Sequence, residues 1–539
     1  MLGGAGLGGA GLGGAGLGGA GLGGPPLGAS SLGGTAESNA ARPVARRPGI
    51  GSTLGRIGLA MAVAFGALAA GAGYWQVWRS ADLSSAPDDA AVVAAGRHVV
   101  RGEITDRDGE RLAWSAEDEN GEPYRVYSSR SFSGVVGYAS RGYGSAGLER
   151  TFDAQLSGVT SADPVQELVK KFRADPSNPQ AMQTTLATSL QEAAVAALGE
   201  DTGAVVMLDP RTGEVLVLAS TPSYDASAIA NPATSTATFQ ALAADDIARP
   251  LLPRATQGRY VPGSVFKIVT AIAALGSGAV DVGTTFEQQP AAEEDGLLVS
   301  GFRVRDGHHP KTGSKALDFL EATEVSCNIW YALAGLETGG DLLVEWADRL
   351  GFDEPLPFDL PTAISQVTGC DGPAPGGFTD DVELANAAFG QAETFVTPLQ
   401  MALVASAVAD DGVIMRPRLV RSFTGKSGTT TMSPEEWRRV LPARIADQIT
   451  AAMVEAVNGD LGVAYTTGAQ VNGLTVAGKS GTAELGGTGE PNSWFIGFAP
   501  ADDPQVVIAV VVEHGGRGAA RAAPIAGGLL ATWKAWAGQ

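Results

Sequence analysis

The stretch "YVPGSVFKIVTAIAAL", residues 260–275, sets a serine three positions before a lysine at the mouth of an apolar run. Pro262–Gly263 breaks regular structure. Val265, Phe266, Ile268, Val269, Ile272 and Leu275 then predict a buried helix. Ser264 falls at or near the start of that helix, and Lys267 lies one turn on, on the same face. Burying an ammonium costs free energy unless it is paired or used. A serine nucleophile without a histidine base needs another proton acceptor, and lysine serves when burial or neighbouring cations depress its pKa. Ser264 and Lys267 are therefore a candidate nucleophile and base. Of the eight lysines, only Lys267 follows a serine by three.

Working outward, 539 residues are too many for one compact domain, and an apolar fraction of 44% suits a globular protein despite 74 glycines. The net charge of −21 argues against nucleic-acid binding, which needs a basic face. The four histidines and two cysteines show no metal-ligand spacing, so neither metal nor organic cofactor is expected. Cys327 and Cys370 could pair outside the cytosol. Spacing leaves that open, and free buried thiols are the favoured reading.

"LGGAG" recurs at Leu2, Leu7, Leu12 and Leu17, a period that fits neither helix nor strand, so residues 1–56 read as a disordered cytoplasmic tail. Residues 57–77 carry no charge and are long enough to span a bilayer core of ~30 Å. Arg42, Arg46, Arg47 and Arg56 precede this span, Asp82, Asp88 and Asp89 follow it, and Tyr74, Trp75 and Trp78 suit the outer interface. The basic flank predicts a single-pass anchor in the cell membrane, with the N-terminus cytoplasmic and the body outside. A cleaved signal ending at Ala67–Ala69 and a buried soluble helix are the rival readings.

Residues 78–185 read as a membrane-proximal pedestal, and "RGEITDRDGERLAW" from Arg101 as strand, Asp-Gly turn, strand. From 186 to 539 the pattern mixes an antiparallel sheet with helices, so the fold class is α+β. A helix is expected near Thr188–Leu198 and a hairpin around Asp209–Gly213. Another helix is expected over Ala316–Thr323. Thr397 should cap a helix with Pro398 at its first position and Gln400 completing a capping box. "SWFIGFAP" and "QVVIAVVVEHG" should be consecutive strands before a final helix near Ile525–Trp536.

Acyl-serine enzymes with Ser-x-x-Lys also need a second polar pair and a later lysine strand. Ser326-Cys327-Asn328 is the only Ser-x-Asn in the sequence, and Lys479-Ser480-Gly481-Thr482 leads into the two closing strands. Two decoys share the letters. Lys311-Thr312-Gly313 comes too early, in a turn. Lys426-Ser427-Gly428-Thr429 reads as a hairpin tip before a helix start at Pro434. His308 and His309, in "RDGHHPKTG", read as a surface loop.

In these motifs, and in "RGYGSAGLER", "EVSCNIWYAL", "FGQAETFVTPLQMA" and "SWFIGFAP", the chain from Arg101 onward resembles the class B penicillin-binding proteins, most closely the actinobacterial penicillin-binding protein A type. The resemblance implies a peptidoglycan D,D-transpeptidase acting on stem peptides and acylated by β-lactams. It implies Ser264 as nucleophile and Lys267 as base. Ser326 would be the proton relay, and Asn328 would orient Lys267 and bind the donor amide. Lys479 would supply positive potential, and Ser480, Gly481 and Thr482 a substrate-binding strand. Backbone N–H groups of Ser264 and Thr482 would form the oxyanion hole. It also implies a partner glycosyltransferase of the shape, elongation, division and sporulation type. The roughly 100 residues before the main domain are too few for a glycosyltransferase domain plus linker. A serine β-lactamase and a catalytically idle sensor or scaffold are the competing functions.

Overall fold

The computed structural model describes residues 100–158, 178–306, 309, 315–369, 372–461, 467–485 and 489–538, together with Met61. The tail, the 57–77 span apart from Met61, His308, Lys311-Thr312-Gly313 and Cys370 lie outside the described residues. Among the described residues no helix is long and apolar enough to cross a membrane.

Two sheets organise the body. The first is built from β1 (Ile104–Thr105), β2 (Arg111–Glu117), β3 (Pro123–Tyr127), β4 (Ala181–Thr184), β7 (Val420–Gly425) and β8 (Gly428–Thr431). Its order is β8-β7-β4-β1-β2-β3, antiparallel except for the parallel β1–β4 pair. The second holds β5 (Gly203–Leu208), β6 (Val215–Thr221), β9 (Ala477–Ala483), β10 (Asn492–Ala499) and β11 (Val506–Val512). It is antiparallel throughout, in the order β9-β10-β11-β5-β6. The sheet that opens at Ile104 is completed by residues 420–431, so no single cut in the chain separates the two sheets.

The second sheet is apolar on both faces, as a sheet between two helical layers must be. On β11, Ile508 and Val510 pack with Leu190, Leu198, Leu530 and Trp533 of helices α1 (Thr188–Leu198) and α6 (Ala522–Ala537). The alternate residues Val507, Ala509 and Val511 join the other core, which holds α2 (Lys267–Ser277) and α5 (Pro398–Ala409). The same core runs on into Ile104, Leu112 and Met182 of the first sheet. Period-two alternation thus assigns each side chain to one layer.

Three local expectations change. No helix starts at Pro434: Glu436–Arg439 is a strand paired with Val413–Met415. Trp437 lies where a Cβ on Gly351 would meet it at 2.5 Å, and Arg438 donates to Asp348 O, so tertiary contacts override the helix signal. Thr397 does cap α5, accepting from Gln400 N at 3.1 Å with Pro398 first, but the Gln400 side chain donates to Leu350 O at 2.8 Å rather than closing a box. The reciprocal box sits elsewhere, at Asp318 and Glu321, and starts α3 at Phe319 (Phe319–Glu324) rather than at Ala316.

Near the first sheet, Glu149 is fully buried. It accepts from Arg125 Nε at 2.6 Å, Arg101 Nε at 2.8 Å and Tyr127 OH at 3.3 Å. Burial pushes its carboxyl up, but the two guanidinium groups outweigh this and hold it below the usual range. Glu149→Ala leaves the buried Arg125 uncompensated, which should cost about 3–5 kcal/mol. Urea denaturation should show a lower midpoint; an unchanged midpoint would mean the pair contributes nothing.

Candidate active site

Ser264 stands in a single 3-10 turn, Gly263–Phe266, that runs directly into α2 at Lys267. Pro262 precedes the turn, and Gly263 takes φ +58° and donates its N–H to Gly390 O at 2.8 Å. A Cβ on Gly263 would fall 2.5 Å from Thr482 O, so glycine lets edge strand β9 lie against the Ser264 turn. Ser264 is half-buried at the floor of a groove of about 1430 Å³, shared with Ser326, Asn328, Thr482, Glu484 and Arg517.

Lys267 is fully buried. Its Nζ donates to Ser326 O at 2.6 Å, Asn328 Oδ1 at 2.7 Å and Ser326 Oγ at 3.2 Å, and lies 5.5 Å from the Tyr331 ring centre. Ser264 Oγ is not among its hydrogen-bond partners, which is common before substrate tightens a site. Burial pulls the Lys267 ammonium down to about 8, against the opposing effects of Asp306 and Cys327. Lys479 comes from β9, opposite Ile496, and is buried. Its Nζ donates to Ser326 Oγ at 2.8 Å and Ser480 O at 3.0 Å. Burial, then the charge of Lys267, holds it well below the usual lysine range.

Ser326 receives both amines. It sits at φ +61°, a left-handed conformation that costs a non-glycine residue about 1–2 kcal/mol. The turn reverses the chain between α3 and α4 (Asn328–Thr338), and Cys327 caps α4 by accepting from Trp330 N at 3.3 Å. Cys327 is a buried free thiol. On β9, Thr482 Oγ1 accepts from Gly518 N at 3.3 Å, and Ser480 is buried. Gly481 lies under Pro262, where a Cβ would meet Pro262 O at 3.0 Å. The structure therefore brings Ser264, Ser326, Asn328 and Thr482 to one groove and buries both lysines behind it.

Lys426 stands apart. It is exposed in the two-residue loop between β7 and β8, on the first sheet. Sequence reasoning missed the wall behind the site. Asp306 bears electrostatically on Lys267 and accepts from Ile329 N at 3.1 Å. His309 is buried with its ring 3.5 Å from Asp306 Oδ1, so it is not a surface-loop residue as expected; a carboxylate partner makes its burial tolerable. Glu293 and Cys327 complete the wall. No periodicity or motif links these residues, because they come from three separate segments. Arg517, in a glycine-rich turn after β11, carried only the faint signal of a lone charge among glycines.

A family model described as the penicillin binding protein transpeptidase domain matches residues 203–531, and one described as the penicillin binding protein A dimerisation domain matches residues 101–180. The chain is similar to the peptidoglycan D,D-transpeptidase PbpA of Mycolicibacterium smegmatis, at 34% identity over 500 residues, 89% of this chain and 98% of that one. It is also similar to the protein of that name from Mycobacterium tuberculosis, at 34% over 471 residues, 84% of this chain and 92% of the other. The solved penicillin G acyl-enzyme complex of M. tuberculosis penicillin-binding protein A matches it with a TM-score of 0.68 at 32% identity, covering 80% of this chain and 99% of that one.

The two "GKSGT" copies should behave differently despite identical letters. Lys479→Ala should cut the second-order rate of β-lactam acylation by at least ~10²-fold, the scale of one lost electrostatic stabiliser. Lys426→Ala should leave it within about twofold, as for a surface change. A chromogenic β-lactam reads both; the reverse ranking would show that the other copy is the working one.

Proposed function

This chain belongs to the penicillin-binding protein transpeptidases, class B and of the penicillin-binding protein A type, and is a peptidoglycan D,D-transpeptidase; we propose that Ser264 carries its acyl group while two buried lysines and Ser326 move the protons. The observation that supports this division of labour is the convergence of Lys267 and Lys479 on one hydroxyl, Ser326 Oγ, at 3.2 and 2.8 Å.

In the proposed reaction Ser264 Oγ attacks the penultimate D-Ala carbonyl of a donor stem. The Oγ–C bond forms, the C–N bond breaks and terminal D-Ala leaves with a proton relayed through Ser326. An amine from a second stem then displaces Ser264, and the cross-link is made. Lys267 can take the Ser264 proton only when neutral. Burial pulls both lysines down, and the charge of each opposes a proton on the other. A donor carboxylate held by the hydroxyls of Ser480 and Thr482 would favour a cation at Lys479 and so release Lys267 as the base. Backbone N–H groups of Ser264 and Thr482 would receive the oxyanion; losing one such donor typically costs ~3 kcal/mol. A β-lactam follows the same first step, but its leaving amine stays tethered and blocks the acceptor.

The arginine-flanked 57–77 span fits a single-pass anchor, with the body outside the cytoplasm. Glycan strands would then come from a separate membrane glycosyltransferase of the shape, elongation, division and sporulation type.

Ser264→Ala should abolish covalent labelling by fluorescent penicillin without lowering the melting temperature. In the unaltered protein the acylation rate should climb with pH and level off above about 8, because the reactive form is the one that has lost its proton. A flat profile between pH 6 and 9 would remove Lys267 as the titrating base, and rapid release of the label would indicate a β-lactamase. For topology, protease added to intact spheroplasts should digest the body and spare the residues before Ile57. A mature N-terminus near Ala70 would instead identify a cleaved signal.

A further inference from the structure

Directly behind the Ser326 turn, four side chains of metal-binding type meet. Glu293, Asp306, His309 and Cys327 each present one ligand atom, and all four atoms lie within 4.8 Å of one another. They come from separate segments: the helix Gln289–Asp295, the chain after the short strand Phe302–Val304, and the cap of α4. His309 and Cys327 are buried, and the other two are half-buried. The cluster is held from outside. Ile329 N donates to Asp306 Oδ2 at 3.1 Å, Trp330 N to Cys327 Sγ at 3.3 Å, and Gln289 Nε2 to the Glu293 carboxylate. The Cys327 thiol itself donates to Glu293 Oε1 at 3.5 Å.

We propose that Glu293, Asp306, His309 and Cys327 bind one zinc ion that pins the Ser326-Cys327-Asn328 turn. One sulfur, one imidazole nitrogen and two carboxylate oxygens are all donors that zinc accepts in a four-ligand site, whereas magnesium and calcium prefer oxygen alone. Ligand atoms around tetrahedral zinc stand roughly 3.4–3.8 Å apart. The widest separation, no more than 4.8 Å, therefore closes by at most about 1.4 Å, within the reach of side-chain rotation. Binding converts the Cys327 thiol to a thiolate and releases its proton to solvent. Four protein ligands leave no open position, so the ion acts structurally: it ties the residue between Ser326 and Asn328 to two other segments and holds the strained turn in place. Nothing in the transpeptidase chemistry requires the ion, so metal content tests the site independently of that chemistry.

The test uses the full chain, purified in detergent without a histidine tag from zinc-supplemented cells. Elemental mass spectrometry should find about one zinc per chain, the count of one closed structural site. Cys327→Ala and His309→Gln should each fall below ~0.2, and if the cysteine variant fails to fold the histidine variant decides. Wild-type protein stripped with a chelator and refilled with cobalt should gain a thiolate-to-cobalt absorption band that Cys327→Ala lacks. Restoring zinc should raise the melting temperature of the stripped wild type but not of His309→Gln. Wild-type protein that labels normally with penicillin yet holds less than ~0.2 zinc and shows no cobalt band would overturn the site. So would full zinc occupancy in a folded His309→Gln variant.

Discussion

Two buried amines share one hydroxyl, and the rest of the site is arranged around that constraint. Each of Lys267 and Lys479 is hydrogen-bonded to Ser326 Oγ, so the two nitrogens stand no more than about 6 Å apart. Two unit charges at that separation repel by roughly 3 kcal/mol at an effective dielectric constant of 20. Burial adds to the penalty on both. The pair therefore favours one proton over two, and burial brings Lys267 down to about 8 without any histidine nearby in the motif. Asp306 sets the limit on the other side by favouring charge on Lys267.

The fold makes this pairing by bringing a helix, a turn and a sheet edge to one point. Lys267 opens α2, Ser326 closes the turn before α4, and Lys479 lies on edge strand β9. The contacts are close enough to demand particular backbones. Gly263 admits Thr482 O, Gly390 admits Gly263 O at 1.9 Å from where a Cβ would stand, and Ser326 adopts a left-handed conformation. Strain at Ser326 is concentrated where two amines must reach a single oxygen, and the surrounding caps and the wall behind it hold that geometry. The two-faced second sheet supplies the stiffness, with a separate apolar core on each side.

Much of this was readable in the sequence because it is local. A Pro-Gly break before apolar residues at helical spacing placed Ser264 at the start of α2. Continuous apolar runs identified β10 and β11, and the position of the second "GKSGT" just before them marked β9. Lys426 read as a hairpin tip rich in Gly, Ser and Thr, although the helix start expected after it at Pro434 gave way to a strand. Local signals failed where distant contacts outweighed them. Glu436–Arg439 became a strand because Val413–Met415 offered it backbone partners, and the Gln400 side chain left its own cap for Leu350 O.

The order and spacing of residues by themselves singled out Ser264, Lys267, Ser326, Asn328 and Lys479, since a helix start and a strand are written within a dozen neighbouring positions, though the strand at Lys479, read as central in the closing meander, is its edge. Three-dimensional packing alone decided that Lys267 and Lys479 meet on Ser326, that residues 420–431 return to complete the first sheet, and that Glu293, Asp306, His309 and Cys327 share a wall. Each of these joins segments far apart in the chain, where no periodicity couples one residue to another. They are brought together only when burying the apolar faces of the helices and sheets outweighs the entropy lost in closing the loops between them.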